Sequence, residues 1–401
     1  MDFILVLNAG SSSIKFAVFN SATTPNSLNL ILKGHFAQEG ANIELSIKDA
    51  DGGTLERQRK DSGNIAFDHD DAINSILAWL CAHRAELIPT AVGHRVVHGG
   101  EKYSIPVVVT EKVLQDLEAL VPLAPLHQPH NLKLIHLIRK RWPAIPQIAC
   151  FDTAFHSTQT SEAKAFALPR KITKAGVRRY GFHGLSYEYI ASQLPRVLGD
   201  HAAGKIIVAH LGSGASLCAL QNGKSMATTM GFSALDGLMM GTRCGTLDPG
   251  VVLYLLQHLH MSPDEISTLL YQRSGLLGVS GISSDMQLLL NSADPHAAEA
   301  VNLFAYRIIG EMGMLAAIMG GVDAIVFTAG IGENAPQIRS RICAGFTWLG
   351  ASIDDAANSV DLELIHTPAS TIRLAIIPTD EEKMIALHTQ YLIGQSAQKV
   401  H

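Results

Sequence analysis

Two distant stretches of this chain read alike, and that likeness limits what it can fold into. Phe3 to Leu7 is a short apolar run, Ile14 to Phe19 is another, and Asn8-Ala9-Gly10-Ser11-Ser12-Ser13 lies between them. Ile206 to Leu211 and Ser216 to Leu220 repeat the pattern around Gly212-Ser213-Gly214-Ala215. Each stretch predicts a strand, a tight polar turn and a second strand. The repetition predicts two related halves, each a hairpin whose turn points into a common cleft.

The rest of the chain alternates strands with helices, which argues for α/β layers. Ile73, Ile76, Leu77 and Leu80 recur at helical spacing. Val92 to Val97 and Ile145 to Phe151 are strand candidates, ending at His98-Gly99-Gly100 and at Asp152. Ser262-Pro263-Asp264-Glu265 is a capping box with proline in the first helical turn. Asp294-Pro295 opens a long helix to about Met319. Ala324 to Thr328 is a strand ending in Ala329-Gly330-Ile331-Gly332-Glu333-Asn334, which opens a helix. Ile372 to Ile377 is the last strand, and Pro378 to Glu382 starts the final helix. The polar residues of interest follow strands or sit in turns, where open α/β sheets place ligands.

Composition narrows the function. The 401 residues are 47% apolar with a net charge of −5, which argues against disorder and against a broad basic surface for nucleic acid. Five cysteines without short spacing fit a reducing cytosol better than a disulfide framework. The N-terminus lacks a positively charged segment of the secretory kind. The most apolar segment, Met312 to Gly332, is interrupted by Asp323 and reads as a buried helix end, a turn and a strand, not a membrane span. A cytoplasmic enzyme is the expectation.

Several constellations can carry chemistry. The Asn8–Lys15 turn offers backbone N–H groups, hydroxyls and one cation, a set that cradles phosphate oxygens and equally serves an ordinary polar hairpin. His210-Leu211-Gly212-Ser213-Gly214 and Gly330 to Asn334 are two more small-residue turns after strands, and the second leads into a helix whose N-terminus favours an anion. Arg95 and Arg243 both lie among glycines, where a guanidinium suits a carboxylate or phosphate or pairs a buried acid. The 18 histidines cluster at His127 and His130, His156 and His183, but without zinc-ligand spacing.

Taken together these segments resemble the acetokinase family of the actin, Hsp70 and sugar-kinase superfamily. The match runs through Leu7 to Phe16, His94 to Gly100, Phe151 to His156, Arg178 to Gly184, His210 to Ser216, Gly237 to Pro249, Phe327 to Asn334 and Pro378 to Glu382. The resemblance implies two ribonuclease-H-like domains, residues 1–150 with 385–401 and residues 151–384, usually in a homodimer. It implies reversible transfer of the ATP γ-phosphoryl group to acetate or another short-chain carboxylate, with Mg²⁺ or Mn²⁺. By motif, Asn8 and Glu381 are associated with the metal. Ser13, Lys15 and the turn His210, Leu211, Gly212, Ser213, Gly214 meet the ATP phosphates. Asp285, Met286 and Gln287, with Gly330, Ile331, Gly332, Glu333 and Asn334, meet the nucleoside. Arg95 takes the carboxylate, and Val97, Leu126, Phe182 and Ala234 form the acyl pocket. Asp152 is the catalytic acidic residue, and His183 and Arg243 stabilise the transition state.

The chain departs from the family pattern at named positions. Ser213 stands where Asn is usual, Thr246 where Asp is usual, Gln287 where Arg is usual, Tyr187 where His is usual and Ala234 where Pro is usual. The smaller Ala234 leaves acetate against propionate undecided, since one methylene is worth only about 1–3 kcal/mol. The competing readings are a propionate- or butyrate-preferring kinase and a non-catalytic nucleotide clamp of the actin or Hsp70 type.

Overall fold

The computed structural model describes residues 2–10, 13–21, 28–39, 42–61, 67–84 and 87–398. The chain divides into two units, Met1–Ala154 with Asp380–His401, and Phe155–Thr379.

The first unit holds strands Asp2–Ala9 (β1), Ser13–Ser21 (β2), Leu28–Glu39 (β3), Asn42–Asp49 (β4), Thr54–Asp61 (β5), Pro89–Val96 (β6), Val107–Val108 (β7) and Gln147–Phe151 (β8). They form one sheet in the order β5-β4-β3-β2-β1-β6-β8-β7. The second unit holds Lys205–Leu211 (β9), Ala215–Gln221 (β10), Lys224–Thr228 (β11), Ala324–Thr328 (β12) and Arg373–Ile376 (β13), in the order β11-β10-β9-β12-β13.

The two sheets share a plan. In the first, β1 pairs antiparallel with β2 and β2 with β3, while β1 pairs parallel with β6 and β6 with β8. In the second, β9 pairs antiparallel with β10 and β10 with β11, while β9 pairs parallel with β12 and β12 with β13. This is the ribonuclease-H-like order twice over. The internal likeness in the sequence therefore marks two hairpins at equivalent places in two sheets.

The central strands explain the uninterrupted apolar runs. Ile4 to Leu7 of β1, Ile206 to Leu211 of β9 and the whole of β12 are buried, because helices cover both faces of the sheet there. Helix His69–His83 turns Ile73, Ile76, Leu77 and Leu80 onto the first core. The final helix, Glu381–Gln398, lies on β1, β6 and β8. It comes close because Gly93 in β6 has no side chain: a Cβ there would collide with Thr389 and Ile385.

The expected capping box is present, with the Ser262 hydroxyl accepting from Glu265 N and the Glu265 carboxylate accepting from Ser262 N. Asp294 caps helix Pro295–Met319, which ends on Gly320 at φ 68°. That helix is long and apolar enough to cross a membrane by length and composition. Here Ala297, Val301, Phe304, Ile308, Met312 and Leu315 are buried on one side of it, and β12 follows after a short turn. The segment from Met312 to Gly332 is thus a helix end, a turn and a strand, followed by the first residues of the short helix Ala329–Asn334.

Strands β3, β4 and β5 have no counterpart in the sequence reading. β5 reads Thr-Leu-Glu-Arg-Gln-Arg-Lys-Asp and is exposed along almost its whole length. A charged edge strand carries no periodic apolar signal, and only pairing with β4 makes it a strand.

Three histidines are sealed into these cores. Burial pushes His94, His98 and His156 each down to about 4, so all three are neutral at pH 7. A depressed folded-state value means stability that is complete above the unfolded value of about 6.5 and is lost as pH falls toward 4. The unfolding free energy from urea titrations should therefore drop between about pH 6.5 and 4, by on the order of 3 kcal/mol per histidine, and the midpoint with it. A His156→Gln variant should flatten that drop, and an unchanged midpoint across this window would contradict the assignment.

Candidate functional site

In the first unit, side chains from the ends of β1, β6 and β8 meet the start of the final helix. Arg95 on β6 donates from Nε and Nη2 to Asp152 Oδ2, at 3.0 and 2.5 Å, and from Nη1 to Asn8 Oδ1 at 3.4 Å. Burial opposes the Arg95 charge, but Asp152 and then Glu381 hold its pKa above the ordinary value. Of five guanidinium N–H donors, two remain for another anion. Asn8 donates from Nδ2 to Glu381 Oε2 at 3.1 Å and to Glu382 Oε1 at 3.0 Å. Both glutamates thus address one amide. Burial, and then the Glu381 charge, raises the Glu382 pKa.

Lys15 is exposed and stands opposite Asn8 in the β1–β2 register. Gly10 N donates to Ser13 O at 2.8 Å to close the turn, whereas Ser11 and Ser12 lie outside the described residues. Val97 is buried and Leu126 half-buried. The loop after β6 is held by two buried amides: Asn131 accepts from Val97 N at 2.9 Å, and Gln128 accepts from His98 N at 3.1 Å.

In the second unit, His183 begins helix Gly184–Leu198 with a left-handed backbone, φ 58°. Its ring stacks on His210 at 4.3 Å, and its Nδ1 meets Ser216 Oγ at 2.8 Å. His210 Nδ1 meets Ser186 Oγ at 2.8 Å, and Ser186 Oγ meets Thr379 Oγ1 at 2.8 Å. The turn between β9 and β10 closes through Gly212 N to Gly214 O. A Cβ on Gly214 would stand 3.2 Å from both Arg243 Nη2 and His183 Nε2. Arg243 Nη1 donates to Ala234 O at 2.7 Å. Phe182 is buried, and its carbonyl meets His156 Nε2 at 2.9 Å.

The same turn borders a cavity of about 710 Å³ lined in part by Gly212, Ser213, Asp285, Met286, Gln287, Gly330, Ile331 and Asn334. That volume suits a small-molecule ligand. Asp285 also caps helix Met286–Leu290 by accepting from Leu288 N at 2.9 Å. Three expected residues turn elsewhere. Leu211 is buried in the core. Gly332 packs against Ala209 O and Phe327. Glu333 accepts from Ala329 N at 2.7 Å and Thr379 N at 3.1 Å, bracing the loop.

Sequence reasoning missed Arg339, which is fully buried. It donates to Gly332 O, Glu333 O, Asn358 Oδ1, Asn358 O and Asp361. It terminates the short helix Ala329–Asn334 at the cavity wall. No glycine context or motif singled it out. Among the described residues, no group of three or more His, Cys, Asp or Glu side chains is arranged to hold a metal. The Asn8, Glu381 and Glu382 set supplies hard oxygen ligands and clustered negative charge, which suit Mg²⁺.

Comparison with known proteins agrees with this geometry. The model of the acetokinase family matches residues 3–387. The chain is 54% identical over 390 residues to the acetate kinase of Rhodopseudomonas palustris, covering 96% of this chain and 97% of that protein. It is 48% identical to the acetate kinase of Methylocella silvestris, covering 98% of each. A crystal structure of a propionate kinase from Francisella tularensis superposes with a TM-score of 0.88 at 36% identity, covering 98% of this chain and 100% of the other. That of Porphyromonas gingivalis acetate kinase gives 0.85 at 37% identity, with the same coverage. A duplicated sheet plan, a cavity rimmed by the small-residue turns and full-length similarity lead to one assignment: the chain belongs to the acetokinase family.

Proposed function

We propose that the chain moves the γ-phosphoryl group of ATP reversibly onto acetate, giving acetyl phosphate and ADP. One observation carries the mechanism: the Gly212–Gly214 turn borders the cavity through Gly212 and Ser213 and faces Arg243 and His183 at Gly214. A nucleotide lying in that cavity has its phosphates beside one fixed cation and one imidazole.

The acetate carboxylate is ionised at neutral pH and needs no general base. One of its oxygens attacks the γ-phosphorus, the bond to the β–γ bridging oxygen breaks, and that electron pair leaves on ADP. The obstacle is bringing an anion to a polyanion, so positioning and charge supply most of the catalysis. Arg95 holds the carboxylate with its two remaining N–H donors. Asp152 fixes the plane of that guanidinium and keeps it charged, and it accepts no proton in the reaction. Lys15 and the His210–Gly214 turn hold the phosphates, while Arg243 and His183 donate to the equatorial oxygens of the transferring group. The residues proposed to meet the acyl group are Val97 and Leu126 of the first unit and Phe182 and Ala234 of the second. Asn8 and Glu381, with Glu382 beside it, would hold Mg²⁺, which when bound neutralises phosphate charge. The five free thiols suit a cytoplasmic setting.

The chain acts as a homodimer. Helix Pro249–Gln257 has no buried residue, and Val251, Leu253, Tyr254 and Leu256 are exposed on it, an apolar surface that needs a cover.

Hydroxylamine trapping with MgATP tests the activity. Acyl hydroxamate should form with acetate, more slowly with propionate and butyrate, and fall about 100-fold or more in Arg95→Ala. Nucleotide binding without hydroxamate from any acid would leave a nucleotide clamp. Gly214→Ala must displace Arg243 or His183 by a few tenths of an ångström, so kcat should fall at least tenfold with little change in thermal midpoint. Equal kcat would remove the two side chains from the transition state. In light scattering the wild type should be a dimer and Leu253→Asp a monomer, and a monomeric wild type would refute the dimer.

A further inference from the structure

The kinase mechanism uses His183 but not what stands behind it. Tyr187, one turn into the helix that His183 begins, is fully buried, and its hydroxyl meets Ser216 Oγ at 2.5 Å. Ser216, on β10 opposite His210 in the register, is equally buried, and its Oγ meets His183 Nδ1 at 2.8 Å. The three polar atoms form a line with two links, Tyr187 to Ser216 and Ser216 to His183.

Hydrogen counting fixes the direction of that line. The tyrosine and serine hydroxyls bring two hydrogens to two links. Both links are filled once each only if Tyr187 donates to Ser216 and Ser216 donates to His183 Nδ1. A hydrogen on Nδ1, in the other neutral tautomer or in the imidazolium, makes three hydrogens for two links. One buried hydroxyl then points at nothing, which is costly away from water.

We infer that the Tyr187–Ser216 pair is a positioning device that holds His183 as a neutral imidazole with its hydrogen on Nε2. Nε2 is the atom that faces the Gly214 turn. Only this tautomer presents a donor there; the other would aim a lone pair at an anionic oxygen. The value of this for catalysis rests on the phosphoryl-transfer reading above, but the tautomer does not. Tyr187 is one of the positions where the chain departs from the usual residue of the family. An imidazole at that position could accept a hydrogen from Ser216, whereas the phenol's own hydrogen fills its link.

Among the groups facing His183 are His210, stacked on its ring, Arg243 across Gly214, and Ser216 with Tyr187 behind it. Cys218 and His156 face Tyr187. Burial raises the Tyr187 pKa well above its ordinary value and lowers that of His156 to about 4, so neither changes charge near neutrality.

The test is ¹⁵N spectroscopy of the full-length protein with labelled histidine, from pH 5 to 8 and without substrates. Wild type should show His183 with Nδ1 unprotonated and Nε2 protonated, and should resist protonation toward pH 5. Ser216→Ala removes the donor to Nδ1, so the tautomers should mix and the titration midpoint rise by about one pH unit. Tyr187→Phe keeps the ring and weakens the Ser216 donor, giving a smaller rise in the same direction. In the kinase assay kcat near neutral pH should fall as the tautomers mix, more in Ser216→Ala than in Tyr187→Phe, while KM for ATP stays within about twofold. A wild-type His183 with hydrogen on Nδ1, or variants that lose thermal stability with tautomer and midpoint unchanged, would overturn the inference. The expected spectra in a protein without hydroxamate activity would leave the tautomer standing and sink the kinase reading.

Discussion

Each sheet depends on a central strand that is covered on both faces and paired on both edges. β1 lies between an antiparallel hairpin partner and a parallel neighbour, and β9 does the same in the second unit. A strand in that position can carry nothing but apolar side chains until it leaves the sheet. Polar residues are therefore admitted at its ends, and those of the site stand at the carboxyl end. Asn8 closes β1, His210 stands near the end of β9, Arg95 sits near the end of β6 and Asp152 follows β8. The burial that stabilises the fold also collects the chemistry at strand ends.

Asn8, Arg95 and Asp152 are held in place because they are already bonded to one another, and His210 because it is bonded to Ser186 within the second unit. Arg95 is not a solvated charge waiting for a substrate; Asp152 and Asn8 fix its plane and leave one edge open. The structural reading of a glycine-flanked arginine, an ion pair with a buried acid, and the functional reading describe the same side chain here. Gly214 plays the corresponding part in the second unit. Its missing Cβ is the space in which Arg243 and His183 approach the backbone of the turn.

Much of the fold was legible in the sequence because apolar runs and caps are local signals. The β1–β2 and β9–β10 hairpins, the Ser262 capping box, the helix from Pro295 to Met319 and β12 all follow from residues within one element. The β3 to β5 extension was not legible, since β5 is polar on both faces and exists through its partner. In the site, Gly212 and Ser213 were legible as a small-residue turn after a strand, whereas Gly330 and Asn334, read as a turn leading into a helix, are already the short helix Ala329–Asn334; all four line one cavity. Arg339, Gln128 and Asn131 were not. Each acts by satisfying backbone groups of a loop distant in sequence, and nothing local to them says so.

By itself the sequence determined which residue types stand at the ends of which strands, and through motif resemblance the family and its reaction. Hydrophobic patterning and turn chemistry act over a few residues, so they survive in one dimension. Tertiary structure alone decided the pairings: Arg95 with Asp152, both Glu381 and Glu382 on Asn8, Glu333 turned to backbone, and Tyr187 behind Ser216 and His183. Such pairings depend on distances between atoms far apart in the chain. They are fixed by the requirement that every buried donor find an acceptor, a condition only the folded chain can meet.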